Sequence, residues 1–230
     1  DEGVWRQFPV PAYLIETDDN RRILVDNGMH RKHILDPEVT FRGRPISRFI
    51  TPIMREADDI EHRLGAIGLA TSDIDILVST HFHFDHAGNN ADFSGARIVA
   101  QHDAHAHARA NPTIFPRDIW DLPDLDYDLI DGDLDLAPGV TLVSTPGHVP
   151  GHMSVVVRLP RSGTMVLAID AIPLRESVEG DSWAGQLNPE QARVSGHRLA
   201  EIARRERGVL IPGHDPDTWS ALKHSPEFYD

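Results

Sequence analysis

The chain has 230 residues, 40% of them hydrophobic and 25% charged, a size and composition that suit one domain with a sizeable core. Its 36 acidic residues against 22 basic ones give a formal charge of -14, which argues against the basic face that nucleic acid or an anionic membrane surface calls for. It has no cysteine, so disulfides and thiolate ligands are excluded and any metal must sit on histidine and carboxylate.

In chain order, Val10–Ile15 and Arg22–Asp26 read as two strands joined by the turn Thr-Asp-Asp-Asn, a hairpin. The Arg-, Gly- and Pro-rich stretch His30–Pro52 lacks periodicity and reads as a long surface loop. Ile60, Leu64 and Ile67 have helical spacing within Asp58–Gly68, which ends on a glycine stop. A short apolar run then leads into "VSTHFHFDHAGNN". Ala96–Ala100 reads as a strand, His102–Ala110 as a helix and Asn111–Asp128 as a second irregular segment. Further strands are expected near Asp133–Leu136, Val140–Ser144, Met153–Leu159, Thr164–Ile169 and Gly208–Ile211, with a helix near Pro189–Arg207. No segment has the apolar length of a membrane span and no signal peptide is visible. A cytoplasmic location is therefore expected, with a leader upstream of Asp1 left open.

Four apolar runs each end on a metal-ligand type: "ILVST" on His81, "VTLVSTPG" on His148, "MVLAI" on Asp170 and "VLIPG" on His214. Side chains at strand ends sit on a rigid support with loops beyond them, a common way to build a site. In His81-x-His83-x-Asp85-His86, residues two apart on an extended segment point the same way, so His81 and His83 can grip one ion. Asp85 continues the alternation, and His86 turns to the other side and can reach a second ion. Nitrogen and oxygen donors of this kind suit zinc, and imidazole also suits iron or cobalt. By contrast, His102, His105 and His107 are expected on a solvated helix face, because residues two apart on a helix diverge. His152 reads as a structural partner, and His30, His33, His62, His197 and His224 as ordinary histidines.

Together, "THFHFDHAG", "STPGHVPGHMS", "AIDA" and "PGHD", in this order, resemble the metallo-β-lactamase superfamily, and within it the N-acyl-homoserine lactone lactonases that quench quorum signals. The resemblance implies an α/β fold, an αββα sandwich, as a single hydrolase domain over residues 1–230. It implies two divalent metal ions, zinc with iron and cobalt as alternatives. His81, His83 and His148 would hold one ion, Asp85, His86 and His214 the other, and Asp170 would bridge them. It further implies attack by a hydroxide shared by the two ions on a lactone ring, with Asp85 and Asp170 as the catalytic carboxylates and Asp85 shuttling a proton to the leaving alkoxide. The expected partner is a small-molecule lactone, bound by a monomer or homodimer that uses neither nucleic acid nor membrane.

Many of these lactonases carry a tyrosine three residues after the bridging aspartate, where this chain has Pro173. Proline has neither a hydroxyl nor a backbone donor. Tyr127, Tyr229 and Trp183 are candidates for that role by residue type only. A pyridoxolactonase-like enzyme for another small lactone and a glyoxalase II-like thioesterase share the ligand pattern, although the latter usually has basic residues near its C-terminus and here only Lys223 is close. Specificity is expected from His30–Pro52, Asn111–Asp128 and Ala171–Pro189. There Phe41, Phe49, Ile50, Ile53, Met54, Phe115, Trp120, Leu122 and Trp183 either line an acyl groove or pack the loops down.

Overall fold

A computed structural model describes residues 5–230, so the first four residues of the domain expected over 1–230 lie outside the described ones. The chain comprises two compact units: Ala12–Ile130, and Asp131–Asp230 with the described residues up to Pro11.

In the first unit, the expected hairpin is β1 (Tyr13–Glu16) and β2 (Arg22–Val25), antiparallel with Tyr13 opposite Val25. Its turn closes through the Asn20 amide donating to the Thr17 carbonyl, with Asn20 at a left-handed φ of 61°. After it come α1 (Lys32–Leu35), α2 (Ile60–Gly65), β3 (Ile76–Val78), β4 (Arg97–Gln101), α3 (His102–Ala110) and β5 (Tyr127–Ile130). Strands β2 to β5 run parallel, giving the sheet order β1-β2-β3-β4-β5. The helical spacing of Ile60 and Leu64 lets α2 bury both against Leu24, Leu77, Ile98 and Phe93.

In the second unit, β6 (Leu134–Ala137), β7 (Val140–Ser144), β8 (Met153–Leu159) and β9 (Gly163–Ile169) form an antiparallel meander. Then follow α4 (Arg175–Glu179), α5 (Pro189–Glu206), β10 (Val209–Pro212) and α6 (Pro216–Ala221), with β10 returning parallel to β9. Helix α5 starts where the sequence demands it. The Asn188 side chain accepts the Gln191 amide, and Pro189 occupies the first turn, where its missing N–H costs nothing. Its apolar stripe, Ala192, Leu199 and Ala203, packs on Val143, Val156 and Val166. Truncating Leu199, fully buried there, to alanine should cost about 2–5 kcal/mol in urea unfolding.

Several short elements escape the sequence reading. Strand β5 begins inside the segment expected to be irregular up to Asp128, α1 and α4, of four and five residues, lie in stretches expected to be loops, and α6, of six residues, lies in a stretch given no expected element. An element of one turn, or of four half-buried residues, shows no period to detect. None of the described helices is long and apolar enough to cross a membrane.

An ion pair ties α5 to β8: Arg158 donates from Nε and Nη2 to the two oxygens of Glu206, each at 2.9 Å. These bonds hold the Glu206 carboxyl below its usual range. A folded-state pKa below the unfolded value, about 4.3, adds stability above that pH and loses it as pH falls through the folded pKa. Replacing Arg158 with methionine should therefore cost up to about 1 kcal/mol at pH 7, and the deficit should close as denaturation is repeated towards pH 3.

Candidate metal centre

The His81–His86 stretch leaves β3 at Val78 and is not a strand; from His83 it turns, and the His83 carbonyl accepts the amides of His86 and Ala87. The phenylalanines alternate with the histidines and anchor the segment. Phe82 packs on Trp120 with ring centroids 4.5 Å apart, and Phe84 meets the edge of Phe41 at 4.5 Å. The histidines are left to gather. Nε2 of His81 lies 3.0 Å from Nδ1 of His83, and the turn brings the His86 ring to 4.2 Å from that of His81. Asp85 Oδ2 is 3.7 Å from His86 Nε2. Within this unit, His81 with His83, and Asp85 with His86, each bring ligand atoms within 4.8 Å.

Behind His86 sits a residue the sequence reading passed over. Asp26, buried at the end of β2, accepts from Nδ1 of His86 at 2.8 Å, from the Thr80 amide at 2.9 Å and from the Thr80 hydroxyl at 2.8 Å. Burial pushes its carboxyl above the usual range, and the bonds from His86 and Thr80 pull the other way. An anion receiving Nδ1–H leaves Nε2 of His86 as the lone-pair nitrogen and orients the ring. Asp26 has a left-handed φ of 55°, a conformation that aspartate tolerates better than most residues. The neighbouring buried amides stitch the two segments together: Asn27 donates to Asn90, the Asn89 amide donates to Asn27, and the Asn27 amide donates to the His86 carbonyl. A Cβ on Gly88 would lie 2.4 Å from the Gly28 carbonyl oxygen, so only glycine permits this approach.

The second unit carries His148, Asp170 and His214. Asp170 follows β9, and Ile169 before it is forced to φ 51°, an outlier for a β-branched side chain that stores strain where the carboxylate is presented. Each Asp170 oxygen faces one imidazole: Oδ2 is 3.1 Å from His148 Nε2, and Oδ1 is 2.9 Å from His214 Nε2. One carboxylate spanning two nitrogens is the disposition a bridging ligand needs. The other ring nitrogens are engaged, with His148 Nδ1 donating to Gln186 Oε1 at 2.9 Å and His214 Nδ1 to the Pro9 carbonyl at 2.8 Å. The His214 amide donates to the carbonyl of Pro173, so the proline that stands in place of tyrosine helps fix a ligand position. His152 is structural, as expected. It receives the Asp170 amide on Nε2 and donates from Nδ1 to Thr145, in a buried chain that continues through Ser154 to the Ala168 carbonyl.

Donors limited to imidazole nitrogen and carboxylate oxygen, with the rings of His86, His148 and His214 oriented from behind, fit first-row divalent cations.

Two expectations change. His102 is exposed, but His105 and His107 are half-buried rather than on a solvated face: His105 packs among Phe82, Trp120 and Tyr127, and His107 against Phe115. Burial pushes both imidazoles below their usual range. The three candidate replacements for the tyrosine are also engaged. The Tyr127 hydroxyl donates to the Trp120 carbonyl, the Trp183 indole donates to Asp181, and the Tyr229 hydroxyl accepts from the Lys223 amide. Among the loop residues, Phe41, Phe115, Trp120 and Trp183 are buried and pack their segments, whereas Phe49, Ile50 and Ile53 are exposed.

Asp26→Asn retains shape but presents an amide where three donors converge. It should weaken zinc binding about 10–100-fold in chelator competition while circular dichroism stays native-like.

The family model described as the Metallo-beta-lactamase superfamily matches residues 5–214. An N-acyl homoserine lactonase of Bacillus thuringiensis is 36% identical over 98% of this chain and 89% of its own length. One of Azorhizobium caulinodans is 31% identical over 99% and 90%. A solved N-acyl homoserine lactone hydrolase, with the product N-hexanoyl-L-homoserine bound at its catalytic metal center, superposes with a TM-score of 0.90 and 34% identity over 96% of this chain and 87% of that one. The α/β arrangement of two mixed sheets with helices is the fold of that family. This chain belongs to the metallo-beta-lactamase superfamily.

Proposed function

We propose that this chain is a metal-dependent hydrolase that opens the lactone ring of N-acyl-homoserine lactones, with both units working as one domain. The observation that carries the reading is the buried Asp170 carboxylate, with one imidazole on each oxygen, in a chain 36% identical over nearly its whole length to a lactonase. His81, His83 and His148 would hold one ion and Asp85, His86 and His214 the other, with Asp170 a ligand to both. Zinc is the metal that best suits these donors, with iron and cobalt as alternatives. Two such cations would supply a Lewis acid for the carbonyl and a water acidic enough to act at neutral pH.

The chain's own residues do the rest. Asp85, less buried than the neighbouring histidines His81 and His86, passes a proton to the alkoxide that leaves as the ring opens. Asp26 and the Pro9 carbonyl keep His86 and His214 in the tautomer that binds through Nε2. The exposed Phe49, Ile50 and Ile53 meet the acyl tail. One observation favours a second reading, another small lactone in the manner of a pyridoxolactonase: Pro173 stands in place of tyrosine, and Tyr127, Trp183 and Tyr229 are all engaged elsewhere.

The test is proton release by metal-replete protein on a panel of lactones, with homoserine lactones of short and long tails. Turnover of the acyl-homoserine lactones, lost with a chelator and on Asp170→Asn, is expected. Turnover confined to other lactones selects the second reading, and activity on thioesters alone overturns both. Phe49→Ser should raise KM for a decanoyl substrate about 3–10-fold, the loss of roughly 1 kcal/mol of apolar burial, and leave a butanoyl substrate unchanged.

A further inference from the structure

His86, His214 and His148 are backed unequally at Nδ1. His86 leans on the carboxylate of Asp26, His214 on the Pro9 peptide carbonyl, and His148 on the amide oxygen of Gln186. We propose that Gln186 is a positioning residue for His148, fixing its tautomer and ring plane and setting its strength as a ligand at the level that a neutral acceptor gives. This rests on the reading of His148 as a metal ligand but not on the identity of the substrate.

The geometry is specific. An amide oxygen only accepts, so the 2.9 Å contact places a hydrogen on Nδ1 and leaves Nε2, 3.1 Å from Asp170 Oδ2, as the lone-pair nitrogen. Gln186 is also held from both sides. Three residues before it, Trp183 is buried against α5, where a Cβ on Gly196 would lie 2.1 Å from the indole ring. Two residues after it, the Asn188 amide donates to the carbonyl of Gly147, the residue that precedes His148. Gly147 lies so close to the start of α5 that a Cβ there would be 2.2 Å from the Ala192 amide nitrogen. The segment carrying Gln186 and the turn carrying His148 therefore share one rigid seat. The Gln186 amide itself donates to the Trp183 carbonyl at 3.1 Å, closing the turn that aims the side chain. A carboxylate at this position would make the imidazole more basic, and an apolar residue would leave Nδ1–H without its acceptor.

The test is a graded series, Gln186→Leu, wild type and Gln186→Glu, each stripped of metal and titrated with Zn2+ against a chromophoric chelator. The leucine variant should bind the His148 ion about 10–100-fold more weakly, and the glutamate variant as tightly as wild type or more so. In metal-free protein, the Nδ1–H proton resonance of His148 should be visible in wild type and the glutamate variant and absent with leucine. Gln186→Met serves if leucine does not fold. Equal affinities across the series, or equal weakening by leucine and glutamate, would overturn the assignment. Failure of the wild type itself to bind Zn2+ would overturn the metal reading on which it rests.

Discussion

An imidazole binds a cation through one nitrogen only if the other nitrogen's proton has somewhere to go, and that requirement organises much of this molecule. Asp26, Gln186 and the Pro9 carbonyl are three different solutions to it, taken from a strand end, a loop and the N-terminal segment. Each needs its own support. Asp26 needs a left-handed backbone and the two donors of Thr80; Gln186 needs the Trp183 and Asn188 anchors; Pro9 needs only its fixed position beside His214. Close backbone approaches accompany two of them, at Gly88 against Gly28 for Asp26 and at Gly147 against the start of α5 for Gln186.

The cost of that arrangement is visible as strain. Ile169 at φ 51° is a conformation that a β-branched residue adopts at an expense of about 1–3 kcal/mol. It persists because both sides of it are fixed. Ala168 accepts a hydrogen bond from Ser154, and the Asp170 amide is held by His152, while β9 lies between β8 and β10. The sheet supplies the stability, and the strand end spends a small part of it on aiming a carboxylate.

The strand-end histidines and Asp170 were legible because an apolar run that stops on a ligand type is rare enough to notice. Asp26 ends the run "RILVD" in the same way, but a lone aspartate before Asn-Gly reads first as a turn residue, and only the fold brings His86 and Thr80 to it. Gln186 offers no such signal, since a glutamine in an irregular segment has neither period nor charge. The alternation expected for His81, His83 and Asp85 presumed a strand that stops at Val78. The histidines still gather, because Phe82 and Phe84 take the intervening positions into packing. His105 and His107 depart from the expected solvated face for a related reason. Helix α3 has so many alanines that its histidines, rather than any apolar stripe, are the side chains large enough to fill the space beside Trp120 and Phe115.

The bond from His214 to the Pro9 carbonyl joins positions 205 residues apart. During synthesis the acceptor leaves the ribosome long before its histidine. A nascent chain can therefore complete β1 to β9 and still lack a finished ligand at the end of β10. Competence to hold that last ligand in place arrives when the end of β10 closes back on the segment ahead of β1.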